Sequence, residues 1–238
     1  MAEDGALAPM FAVVGCDGSG KSTVADALLA WIRRYGPAET AHLGLQSGDM
    51  GRAIARLPLI GRMLDRKVTA RASRARDTKD KIPDALTATI IYLFSLRRVR
   101  RFRRMLALRR KGIIVVTDRY PQTAVPGFFD GPGLSAAKAD SAYVRMLARR
   151  ERALYDWMVS FRPDLVIRLN VDLETAFARK PDHRYESLKA KVAAAPLLSF
   201  AGAPILELSS LDPLPDVVAA AKAAIADRMA ALGRATPA

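Results

Sequence analysis

The chain has 238 residues, 50% hydrophobic and 26% charged, with one cysteine, Cys16. That balance excludes a disordered, collagen-like or disulfide-stapled protein and points to a reducing compartment. Its 38 basic against 24 acidic residues leave a formal charge of +14, which favours anionic partners without choosing among nucleotides, nucleic acid and membrane surfaces.

No stretch reaches the roughly 18 apolar residues a membrane span needs, so no membrane insertion is expected. The opening Met1-Ala2-Glu3-Asp4 is acidic where a signal peptide is basic, so the expected location is cytoplasmic. In chain order, short runs rich in Val, Ile and Leu alternate with longer helical patterns. The runs Met10–Val14, Thr40–Leu43, Ile113–Thr117, Leu165–Leu169 and Ile205–Leu208 are continuous rather than alternating, which suits parallel strands buried on both faces. Helices are expected over Lys21–Arg34, Asp84–Arg110, Ala136–Phe161, Leu173–Arg179, Glu186–Ala194 and Asp216–Leu232. The alternation predicts an α/β fold, a parallel sheet covered by helices on both faces, in one domain over 1–238. Two segments break it. Asp65–Pro83 is basic and polar and reads as an irregular insertion, whereas Pro121–Ser135, with three prolines and three glycines, reads as a loop.

Gly15-Cys16-Asp17-Gly18-Ser19-Gly20-Lys21-Ser22-Thr23 fits the phosphate-loop pattern G-x-x-x-x-G-K-[ST], with a strand before it and a helix after it. Glycines let backbone N–H groups converge on phosphate oxygens, and the helix N-terminus adds partial positive charge. A nucleoside triphosphate is the expected ligand, Lys21 reaching its outer phosphates and the Ser22 hydroxyl serving Mg²⁺.

Further motifs follow in order. They are Asp17 within the phosphate loop, Leu93-Phe94-Ser95 with Arg98, Asp118-Arg119-Tyr120 after a hydrophobic strand, and Arg162-Pro163-Asp164-Leu165-Val166. Arg179 with His183-Arg184-Tyr185-Glu186, then Ile205-Leu206-Glu207-Leu208-Ser209, complete the set. Together, over residues 10 to about 230, they resemble the thymidylate kinase family of P-loop nucleoside monophosphate kinases. The resemblance implies a P-loop NTPase fold with strand order 2-3-1-4-5, ATP and Mg²⁺ as cofactors, a small phosphoryl acceptor such as dTMP and often a homodimer. It also implies roles. Arg119 bridges donor and acceptor phosphates. Arg179, with Lys180 and Arg184 in a lid of about 179–187, closes over the transferring group. Phe94 stacks on the acceptor base and Arg98 hydrogen-bonds it. Asp17 lies near the acceptor sugar, and Asp118 near the metal.

The departures concern the acceptor. Where thymidylate kinases grip the acceptor phosphate with an arginine, this chain has Gln46, within Leu45-Gln46-Ser47-Gly48-Asp49, and a neutral amide does not replace a bidentate cation–phosphate contact. Gln46 is not the glutamate base of related deoxynucleoside kinases either. After Asp118-Arg119-Tyr120 the chain keeps a hydroxyl at Thr123 but carries Pro121 and Pro126, and the acceptor-side region of about 48–98 is longer than the family needs. A monophosphate acceptor is already an anionic nucleophile, whereas a hydroxyl acceptor benefits from a carboxylate, with Asp118, Asp17 and Asp49 as candidates. Three functions therefore stand. They are a nucleotide or nucleoside phosphotransferase, a kinase of a non-nucleotide hydroxyl compound such as a sugar, and a nucleotide-binding regulator or nucleic-acid-associated ATPase.

Other features read as structure. The arginine run 97–104 lies in a helix whose expected apolar side is Leu93, Leu96, Val99, Leu106 and Leu108, so it is expected to be a solvated face with Arg98 turned to the site. The basic stretch 62–81 is equally consistent with phosphate binding and with a soluble loop. Tyr120, Trp31 and Trp157 are expected in packing roles. His42 and His183 carry no zinc pattern. Residues 233–238 are expected to be a flexible tail.

Overall fold

The computed structural model describes residues 7–44, 85–136 and 141–234. Five strands, β1 (Met10–Gly15), β2 (Ala38–His42), β3 (Ile114–Asp118), β4 (Leu165–Asn170) and β5 (Ile205–Ser209), form one sheet in the order β2-β3-β1-β4-β5. All four pairings are parallel. β1 sits in the middle and is buried along its whole length, which is why its sequence is uninterrupted by polar residues. This is the P-loop NTPase architecture, with strand order and helix placement as expected.

Helices α1 (Lys21–Ile32) and α6 (Leu214–Ala231) cover one face. There Val24, Leu28, Ile32, Val218, Ile225 and Met229 pack on Phe11, Val13, Val116 and Ile167. Helices α2 (Ala85–Arg110) and α3 (Ala142–Val159) cover the other, where Val99, Phe102, Met105, Tyr155 and Met158 meet Met10, Ala12, Val115 and Val166. Alternate residues of each strand thus feed two separate cores, as period-2 side-chain alternation requires. Two short helices, α4 (Leu173–Arg179) and α5 (Tyr185–Ala194), follow β4 and form a smaller cluster of Ala176 and Leu188 with Cys16.

Several boundaries differ from the sequence reading. β2 starts at Ala38, two residues before Thr40, because its edge position leaves only Ala38 buried and its polar residues carry no apolar signal. The expected helix 136–161 begins instead at Ala142. Ser141 caps it, its Oγ accepting from Val144 N at 3.1 Å, and the 3₁₀ turn Leu134–Ala136 stands apart. On α2, Leu93 and Leu96 are exposed rather than on the apolar side. The buried stripe runs through Ser95, Arg98, Val99, Phe102, Met105, Leu106 and Arg109, and Leu93 lies nearly opposite it on the helical wheel. Two arginines of α2, one inside the run and one beyond it, are therefore interior. Arg98 is 1% exposed, and Arg109 donates from Nε to Ala8 O at 2.6 Å and lies 3.5 Å from Asp164. Exposed Arg103 instead lies over the Trp157 ring, 5.6 Å from its centroid. Gln46, Asp49, the stretch 62–81 and the tail beyond 234 lie outside the described residues. No helix among the described residues is long and apolar enough to cross a membrane.

Candidate functional site

The turn from β1 into α1 builds the phosphate loop. Gly20, in the left-handed conformation, precedes Lys21 with no side-chain cap, so the first N–H groups of α1 are open to an anion. The glycines are required by close approach. A Cβ on Gly15 would lie 2.5 Å from the Leu169 carbonyl oxygen and 2.7 Å from Ser19 Oγ, and one on Gly18 would lie 2.9 Å from the Ala176 carbonyl oxygen. Lys21 is buried and its Nζ donates to Cys16 O at 2.6 Å. Burial, then the charge of Arg119, lowers its ammonium pKa from the ordinary lysine value. Burial, then the neighbouring Asp17, pushes the Cys16 thiol up, so Cys16 packs rather than reacts.

Asp17 is the electrostatic hub. Its Oδ1 accepts from Arg119 Nη2 at 3.0 Å, its Oδ2 accepts from Lys191 Nζ, and His183 Nε2 stands 3.9 Å away. Burial alone would raise this carboxyl, but Lys191, by charge and hydrogen bond, with Arg119 and Lys21, holds it well below the usual carboxylate range. Three segments thus meet here: the phosphate loop, the residue after β3, and α5.

Arg119 is held in a left-handed conformation at φ 71°, rarely adopted by a residue with a side chain. Opposite it, Gly44 leaves room for its side chain, since a Cβ there would lie 2.6 Å from Arg119 Cδ. Burial opposes the Arg119 charge, but Asp130, Asp17 and Asp118 raise its pKa overall. Asp118 closes β3 with its Oδ1 buried and unpartnered, and its Oδ2 is 3.7 Å from His42 Nδ1. The Ser22 hydroxyl is exposed at the head of α1. An orphaned buried carboxylate oxygen beside a phosphate loop, with a hydroxyl one residue after Lys21, fits a divalent cation.

Beside the phosphate loop lies a small, partly open, water-sized cleft whose walls include Arg119, Gln122, Phe129, Asp130, Leu198 and Phe200. Its shape is fixed from behind. Arg98 donates to the Asp130 main-chain oxygen at 2.8 Å, to Asp130 Oδ1 at 2.6 Å and to the Tyr155 hydroxyl at 2.6 Å. Glu151, fully buried, accepts from Ser95 Oγ at 2.6 Å and from Leu134 N at 2.7 Å. Arg168 on β4 pairs with Glu207 through Nε at 2.8–2.9 Å and donates to the Ala195 and Leu198 carbonyls at 3.0 and 2.9 Å, pinning the turn that carries Leu198.

Over 217 residues, 91% of the chain, the sequence is 43% identical to a protein of Escherichia coli K12 described as the uncharacterized ATP-binding protein YghS, covering 92% of that protein. It is 42% identical over the same length to the uncharacterized ATP-binding protein YghR of strains K12 and CFT073, covering 86% of each. The chain belongs to the YghS/YghR family. No protein-family model matches it.

In this YghS/YghR-family member the structure brings Gly15, Asp17, Gly18, Ser19, Lys21, Asp118 and Arg119 to one place, as the motifs suggested. Arg179 also reaches the phosphate loop, through the loop's main chain. Its Nη1 donates to Gly18 O at 3.2 Å and its Nη2 to Ser210 O at 3.0 Å, so it clasps the phosphate loop to the turn after β5. Lys180 and Arg184 are exposed in the turn between α4 and α5. Phe94 and Thr123 are half-buried and not among the residues lining the cleft. Arg98 is interior, both its Nη atoms held by protein groups. Sequence reasoning missed Lys191 and Asp130. Lys191 lies within the expected helix Glu186–Ala194, beyond the expected lid of about 179–187, with no motif around it. Asp130 sits in the Pro/Gly-rich loop, where its only signal was a carboxylate at a strand's C-terminal side.

Proposed function

We propose that the chain binds Mg²⁺-ATP and transfers its γ-phosphoryl group to a small acceptor, as a phosphotransferase on a thymidylate kinase-like frame. The observation that carries this reading is the convergence on Asp17 of Arg119 from the sheet and Lys191 from α5. A nucleotide switch needs one phosphate cradle, whereas group transfer needs a second set of cations where charge develops between donor and acceptor. The names of the YghS and YghR relatives support the ATP half.

In this reading the phosphate loop and Lys21 hold the β- and γ-phosphates, and Arg179 steadies the loop against the turn that would flank the adenine. Ser22 and Asp118 would hold a divalent cation, which would supply neutralisation of phosphate charge. Lys191 and Arg119 neutralise the transferring group from two sides. The acceptor, seated in the cleft beside Arg119, forms the new bond to the γ-phosphorus as the bond to the β-phosphate oxygen breaks, and ADP keeps that electron pair. The test is ADP production from Mg²⁺-ATP with dTMP, other nucleoside monophosphates, nucleosides and sugars. Acceptor-dependent turnover that collapses in Arg119→Ala supports the reading. ADP release stimulated by nucleic acid instead supports the ATPase alternative.

A further inference from the structure

The arginines of α2 that are not interior form a face of their own, away from the nucleotide site. Arg101 turns towards β2, its Nη1 donating to Gly44 O at 2.7 Å, and Arg103 turns towards α3, over the Trp157 ring. At 3.6 residues per turn, Arg97, Arg104 and Arg100 lie between those two directions, on the outer surface of the helix. All three are exposed. Arg110, also exposed, continues the face to the end of the helix. Exposed Arg150, about two turns before Trp157 and therefore on the same side of α3, borders it.

Counted with their partners, these charges do not cancel. Arg98 and Arg109 pair inside the fold with Asp130 and Asp164, so neither contributes to the face. α2 contains no Asp or Glu. On α3, Glu151 is fully buried and Asp156 is taken up by Arg152 at 2.9 Å. Among the described residues no carboxylate pairs with Arg97, Arg100, Arg104, Arg110 or Arg150. The chain between Gly44 and Ala85 carries more basic than acidic residues, so its composition offers no acidic cover. From Arg97 to Arg110 the helix runs about 20 Å, the length of about six phosphates along one nucleic-acid strand. A planar guanidinium fork suits phosphate oxygens. The exposed leucines of α2, Leu86, Leu93 and Leu96, all precede the arginines, so the cationic half presents no large apolar side chain for insertion into lipid.

We propose that the arginine face of α2, bordered by Arg150, is a second binding surface that holds the phosphate backbone of nucleic acid without reading its base sequence. It goes beyond the phosphotransferase reading and is tested apart from it. The full-length protein is titrated into a fluorescent DNA duplex and a single-stranded RNA, each of about 20 nucleotides per strand, and anisotropy is followed over a range of salt. Binding to at least one of them is expected, with log K falling against log salt at a slope of about −5 for about six phosphate contacts. Removing two charges from the face, in Arg100→Gln with Arg104→Gln, should weaken binding at least tenfold and reduce the slope by about two. Arg100→Lys with Arg104→Lys keeps the charge and should stay within about threefold of wild type. The control removes the same charge elsewhere, from exposed Arg33 and Arg34 after α1, as Arg33→Gln with Arg34→Gln, and should change affinity less than about twofold. Thermal melting confirms that each variant is folded. No binding at low salt overturns the inference, as does an equal loss in the two glutamine variants, which would assign binding to net charge alone. Arginine-dependent capture by phosphatidylserine vesicles without nucleic-acid binding overturns it in favour of a lipid surface.

Discussion

Asp17 and Lys191 are 174 positions apart, yet Lys191 Nζ donates directly to Asp17 Oδ2. That ion pair ties α5 to the phosphate loop and, in the proposed reading, sets a cation beside the γ-phosphate. Lys191→Ala is expected to reduce acceptor-dependent turnover about 10²- to 10³-fold, the loss typical of one preorganised donor, with a smaller change in Mg²⁺-ATP affinity. Lys191→Arg should recover part of the rate. Steady-state kinetics of the three proteins with nucleotide titration check this, and an unchanged rate in Lys191→Ala would reassign the residue to a structural role.

Gly44→Ala tests the placement of Arg119. The new methyl would fall 2.6 Å from Arg119 Cδ and 3.2 Å from its Nε, and the guanidinium is pinned to Asp17 at 3.0 Å. The side chain must then leave that pose. Turnover should fall at least tenfold with a smaller loss of affinity for the non-hydrolysable ATP analogue AMPPNP, because the phosphate loop loses only its Asp17–Arg119 contact.

Glu151 gives a pH signature. Burial raises its carboxyl above the ordinary glutamate value, opposed by the Ser95 and main-chain hydrogen bonds. Its folded pKa therefore exceeds its unfolded value of about 4.3. The associated stability is fully present below the unfolded pKa and is lost as pH rises through the folded one. Glu151→Gln can still accept from Leu134 N and donate to Ser95 Oγ. Its melting temperature should fall less than that of wild type as pH rises from 4 towards neutrality. Parallel melting curves for the two proteins over that range would contradict the assignment.

Arg168→Met should destabilise the fold by about 3 kcal/mol, the order of a buried, charge-assisted hydrogen-bond set. It would remove the bonds to Glu207, Ala195 and Leu198 together. Urea unfolding measures the loss. The cleft wall formed by Leu198 loosens with it, so acceptor affinity should weaken along with stability.

Much of this was legible in the chain. The central strand Met10–Gly15 is buried along its length and the glycines after it are held by close contacts, so both left plain signals at fixed spacing. Asp118-Arg119 was found because it closes an uninterrupted hydrophobic run. Edge strand β2 was misplaced because one face meets solvent and its residues are mixed. The α2 surface was misjudged because Arg98 and Arg109 are interior and satisfied by Asp130, Tyr155, Ala8 and Asp164, partners that only the fold brings near. Lys191 gave no sequence signal for the same reason, and Asp130 only the weak one of a carboxylate beyond a strand's C-terminal end. An ion pair across 174 positions has no local pattern, and a carboxylate in a Pro/Gly-rich loop reads as a turn residue until its cleft is seen.

The most direct test of phosphoryl transfer follows the γ-phosphoryl group itself. Mg²⁺-ATP labelled at the γ-position is incubated with the full chain and a protein-free extract of small metabolites, beside Arg119→Ala, and the labelled products are separated. The account predicts label moving into a small organic phosphate with wild type, and at least a hundredfold less with Arg119→Ala. Label appearing only as inorganic phosphate, equally with both proteins, would contradict it.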